Sequence, residues 1–97
     1  MKMTAPLEIG ICVADLPRAM AFYEGVLGLQ KISEIDLNEH GSQVSGLGTS
    51  GYRVVRLQTT FGERIKLVCP NGSPSRPSPA ATPSSRTGLA YITFLVD

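Results

Sequence analysis

Residues 7–29, LEIGICVADLPRAMAFYEGVLGL, switch from a two-residue period to a helical one and then stop at a glycine. That switch restricts the fold more than any other feature of the chain. Leu7, Ile9, Ile11 and Val13 alternate with Glu8, Gly10 and Cys12, which predicts a strand over 7–13 with one apolar face. Asp15 is placed as a helix N-cap, its carboxylate able to accept a first-turn amide. Pro17 is tolerated there because first-turn amides have no intrahelical acceptor. Leu16, Ala19, Met20, Tyr23, Val26 and Leu27 then recur at helical spacing, predicting an amphipathic helix to about Leu27, with Gly28 as its left-handed stop.

The rest of the chain reads mainly as strands. One is expected over 30–36, followed by the polar, glycine-rich stretch LNEHGSQVSGLGTSG as loop. YRVVRLQTT and RIKLVCP give two more strands, joined by a turn at Phe61 and Gly62. In the last of these, Ile65, Leu67 and Cys69 alternate with Arg64, Lys66 and Val68. The order strand, helix, three strands makes an α+β fold built on a βαβββ module.

Ninety-seven residues suit one small domain, and a net charge of +1 gives no footing for nucleic acid as an obligatory partner. No apolar run approaches the roughly 20 residues of a bilayer span, so no membrane partner is expected. The N-terminus has no apolar core of a signal peptide. Cys12 and Cys69 lack metal-like spacing and read as reduced thiols, which fits a cytoplasmic protein.

From 70 to 87 the composition changes abruptly: PNGSPSRPSPAATPSSRT holds five of the seven prolines and no apolar side chain larger than alanine. Such a segment buries too little surface to offset its ordering entropy and reads as linker or surface loop. After it, AYITFLVD aligns without gaps on LEIGICVA, setting Ile92 on Ile9, Phe94 on Ile11, Val96 on Val13 and Tyr91 on Glu8. The expected organisation is therefore a first module over 5–69, a linker over 70–87, and over 88–97 the first strand of an incomplete second module. The missing half is expected from further residues or from a second chain.

The segments GICVADLPRAMAFYEGVLGL, ERIKLVCP and GLAYITFLVD, in that order, resemble the vicinal oxygen chelate superfamily of glyoxalase, bleomycin resistance and dioxygenase proteins. The helix ending AFYEGVLGL is the most specific of the matches. The resemblance implies paired βαβββ modules whose sheets curl into a cup around a small-molecule site, commonly paired across a homodimer. In metal-dependent members it implies ligands on the first and fourth strands of each module. Position by position these fall on Glu8, Lys66 and Tyr91 here, with the fourth beyond Asp97. Glutamate can hold a divalent metal, but a protonated lysine has no lone pair to give, and tyrosine is a poor substitute. A divalent metal is therefore possible as cofactor only through Glu8, and no cofactor is the simpler expectation.

Three readings of Glu8 remain open: ion-pair partner of Lys66 inside the cup, solvated strand residue, or metal ligand. Arg64 shares the Lys66 face and Arg56 can reach the cup from the third strand, so these cations either bind an anionic ligand or form a solvated basic edge. Tyr52 and Tyr91 either stack on a ligand or pack. His40, the only histidine, sits in a turn-like stretch where exposure is usual. Two functions are expected from the resemblance. One is a metal-free module binding a small, anionic molecule through Glu8, Lys66, Arg64, Arg56 and Tyr91. The other is a metal-dependent lyase, isomerase or dioxygenase; a hybrid of the two has Lys66 as the candidate catalytic side chain, an electrophile or base if burial lowers its pKa.

Overall fold

The computed structural model describes residues 1–38, 40–41, 50–72, 74, 87–88 and 91–97. Its elements run β1 (Glu8–Cys12), α1 (Leu16–Met20), a π-helical segment (Ala21–Val26), β2 (Gln30–Leu37), β3 (Tyr52–Gln58) and β4 (Arg64–Pro70). The four strands form one sheet in the order β1-β4-β3-β2, with β1 parallel to β4 and the other pairs antiparallel. The expected βαβββ module is present.

The helix begins as the sequence predicts. Asp15 has extended backbone, and its carboxylate accepts from the Arg18 amide at 3.0 Å. Its continuation differs. Instead of regular α-helix to Leu27, the coil widens after Met20, and the Leu27 amide donates to the Phe22 carbonyl, five residues back, at 2.9 Å. Gly28 then takes φ +74°, and the Leu29 amide reaches the Tyr23 carbonyl at 3.0 Å. A wider turn rotates position 26 off the face that holds 23 and 27. Val26, expected on the apolar face, is accordingly 73% exposed, whereas Tyr23 and Leu27 pack inward.

That inward face meets the sheet. Leu29, Val55, Leu57, Ile65 and Leu67 form the buried cluster, and Ile11, Val13, Leu16, Ala19, Met20, Tyr23 and Leu27 cover it. Leu57 and Leu67 are fully buried, a contribution of about 2 kcal/mol each from apolar burial. The sheet thus has one face under the helix and a second, more open face, on which β4 is part-exposed while Tyr52 and Val54 of β3 are buried.

The third strand ends sooner than YRVVRLQTT suggests. Thr59 and Thr60 leave the ladder for a turn in which the Gly62 amide donates to the Thr59 carbonyl at 3.2 Å and the Thr59 hydroxyl accepts from the Phe61 amide at 3.1 Å. On the far side, residues 91–97 belong to none of the four strands, but Phe94 packs against the core and meets the Tyr23 ring edge-on at 6.2 Å. Most of the proline-rich linker, and the loop residues 42–49, lie outside the described residues. Among the described residues, no helix is long and apolar enough to cross a membrane.

Candidate functional site

Strand register decides what the open face presents. Residues paired side by side share a face, so β4 organises that face into rows. Arg64 lies between Glu8 and Gln58, Lys66 between Gly10 and Arg56, Val68 between Cys12 and Val54, and Pro70 beside Tyr52. On β2, Ser33, Ile35 and Leu37 extend the rows of Arg56, Val54 and Tyr52, after a register shift between Lys31 and Ser33. One end of the face is consequently charged, and the other is apolar.

At the charged end, Glu8 stands between two cations. Its Oε1 lies 3.3 Å from Arg56 Nε, which donates to it, and 3.6 Å from Lys66 Nζ. All three side chains are between 24% and 32% exposed. Full burial would make such charges costly, whereas partial exposure tempers that cost and still excludes much of the screening water. One carboxylate and two cations leave this cluster one positive charge in excess. Two polar atoms near this end, Arg64 Nε and Ser33 Oγ, are buried without a hydrogen-bond partner among the described residues.

A concave cavity of about 380 Å³ runs from this cluster toward the apolar end. Glu8, Gly10, Cys12, Ser50, Tyr52, Lys66, Val68 and Pro70 line it. Gly10 puts no side chain into the space beside Lys66; a Cβ there would come into ordinary contact with Lys66 Cε at 3.9 Å. Tyr52 is buried, its ring forming wall.

The structure therefore brings together Glu8, Lys66 and Arg56, and it sets Arg64 next to Glu8 on the same face. It does not bring Tyr91 to them. Tyr91 is 73% exposed and lines a second groove with Phe22, Tyr23 and Phe94, which meets the cavity at Gly10 and Cys12. His40 is exposed, as expected for a turn. Both cysteines are free, Cys12 at the cavity wall and Cys69 near the Ala14 carbonyl. Sequence reasoning singled out the charges but not Gly10, Cys12, Ser50 and Pro70 as lining. Strand period already carried a signal for Gly10 and Cys12, which alternate in phase with Glu8.

The side chains at the family's ligand positions can be tested against a divalent ion. A catalytic metal takes about three protein ligands bearing lone pairs. Arg56 and Lys66 offer only donors. The Glu8 oxygen nearest them is engaged by both, and among the described residues no three His, Cys, Asp or Glu side chains stand close enough to hold a metal. These residues do not fit a divalent ion at Glu8.

The comparisons with known proteins agree with the module. The family model for the Glyoxalase/Bleomycin resistance protein/Dioxygenase superfamily matches residues 6–97. Among solved structures, a glyoxalase family protein from Bacillus cereus superposes with a TM-score of 0.68 at 24% identity, over 92% of this chain and 60% of its own. This chain thus spans less than two thirds of that neighbour's length, and at that identity the likeness concerns the fold. No curated protein matches the chain. With the strand order, the helix ending and the family match in agreement, the chain belongs to the Glyoxalase/Bleomycin resistance protein/Dioxygenase superfamily.

Proposed function

We propose that this protein is a metal-free member of its superfamily that binds a small anionic molecule on the open face of its sheet, inside a cup completed by a second module, in a homodimer in the cytoplasm. The observation that carries the reading is the arrangement at Glu8: two cations share one carboxylate oxygen, at 3.3 and 3.6 Å. The ammonium of Lys66 and the guanidinium of Arg56 occupy the neighbourhood where a metal would otherwise offset the carboxylate. Their excess charge draws an anion by the same electrostatics. Lys66 acts as anchor in this reading. Arg64, on the same face one row away, adds to the positive field.

The test is metal analysis of the purified, chelator-treated protein, together with titration by acetate and inorganic phosphate as probe anions. No stoichiometric metal after reconstitution, with anion binding abolished in Lys66→Met, is the expected result. About one metal per chain, lost in Glu8→Gln, would overturn it and favour a divalent-metal-dependent lyase, isomerase or dioxygenase. Turnover that vanishes in Lys66→Met would make Lys66 catalytic as well as anchoring.

A further inference from the structure

From the row order of the sheet we infer that the ligand is an amphipathic monocarboxylate, with its carboxylate at Lys66 and Arg56 and an apolar body lying along the strands toward Val68, Tyr52 and Pro70. The inference rests on the anion-binding reading and narrows its ligand class.

Polarity on the open face varies along the strands and not across them. The row of Lys66 holds Gly10, Arg56 and Ser33, the next holds Cys12, Val68, Val54 and Ile35, and the last holds Pro70, Tyr52 and Leu37. Pro70 lies four positions after Lys66, a span of about 13 Å along β4. The cavity follows that direction, bounded by Glu8 and Lys66 at one end and by Tyr52 and Pro70 at the other. A small, compact anion would fill only the charged end of the cavity and leave the part beside Cys12, Val68 and Pro70 empty. A molecule with a charged head and an extended apolar body uses both.

Charge and donor supply suit a carboxylate head. Glu8, Arg56 and Lys66 sum to one positive charge, which a monoanion neutralises, and Arg64 one row away adds to the same positive field. Lys66 carries three N–H donors and Arg56 five; among the described residues Glu8 accepts one from Arg56 and meets Lys66 as an ion pair at 3.6 Å. The remaining donors suit the two oxygens of a carboxylate.

The experiment titrates the whole protein with 4-phenylbutyrate, its neutral amide, acetate and inorganic phosphate, read by calorimetry and by methyl shifts of Val68. Phenylbutyrate is expected to bind at least about tenfold tighter than acetate, phosphate or the amide, as burial of an aromatic body requires. Lys66→Met should weaken phenylbutyrate about tenfold or more, and Val68→Thr should weaken it while leaving acetate unchanged. Acetate or phosphate binding as tightly as phenylbutyrate overturns the amphipathic inference and spares the anion reading. Equal binding of the amide, or no binding by any of the four, overturns both.

Discussion

The coupling between Glu8 and Arg56 should exceed that between Asp36 and Arg53, although the second pair is closer. Arg53 Nε lies 2.8 Å from Asp36 Oδ1, against 3.3 Å for Arg56 Nε and Glu8 Oε1. Distance alone favours the Asp36 pair by a factor of about 1.2, since Coulomb energy falls as the first power of separation. Exposure argues the other way and by more. The Arg53 and Asp36 side chains are 51% and 71% exposed, those of Arg56 and Glu8 32% and 27%. Moving from a water-like dielectric toward one of about 20 multiplies the attraction by up to about 4. Desolvation takes back much of that gain, which leaves about 1–2 kcal/mol for Glu8–Arg56 and a smaller coupling for the solvent-screened exposed pair. Double-mutant cycles built on Glu8→Gln with Arg56→Gln, and on Asp36→Asn with Arg53→Gln, measure both by urea denaturation. Raising the salt to about 1 M, where the Debye length is about 3 Å, should erase the Asp36 coupling and only reduce that of Glu8. Equal couplings, or a larger one for Asp36, would mean that Glu8 stands in water-like surroundings, and the basis for an electrostatically defined site would be gone.

The other expectations concern the frame around the site. Gly51→Ala should cost about 1–3 kcal/mol in chemical denaturation, because a Cβ there would stand 2.6 Å from both the Leu37 carbonyl and Asn71 Nδ2, and the Leu37 backbone cannot step aside; a neutral result would refute that close approach. Leu57→Ala, at a fully buried position between helix and sheet, should cost about 2–5 kcal/mol, and a loss under 1 kcal/mol would mean that the core is looser than described. The Thr59 hydroxyl donates to the Glu63 carboxylate and, with a backbone amide, holds its pKa below the ordinary carboxylate range. A lowered folded-state pKa adds stability that is present above the unfolded-state value and lost as pH falls through the folded one. Thr59→Val should therefore raise the Glu63 titration midpoint seen by NMR, and an unchanged midpoint would contradict the assignment.

Much of this architecture is written in local pattern. Alternation at Glu8–Cys12, the Asp15 cap and the Gly28 stop are consequences of one strand period, one carboxylate and one missing Cβ, so they can be read without knowing the neighbours. The same holds for the shared face of Lys66 and Arg64, which follows from their spacing in β4. Local pattern did not announce the widening after Met20. That depends on how Tyr23 and Leu27 settle on the sheet, and a helical wheel has no means of showing it. Resemblance to the superfamily offered Lys66 and Tyr91 as equivalent ligand positions, and only one of them reaches Glu8. Arg56 shows the division most clearly. The sequence places it on the open face of a strand, but its pairing with Glu8 joins residues 48 positions apart. That contact depends on β4 lying between β1 and β3 and on the register of both ladders. Composition and period determine which side chains each element offers to a face. Only the tertiary structure, by fixing register between distant strands, decides which charges meet, because side-by-side pairing is a property of two segments together and is encoded in neither alone.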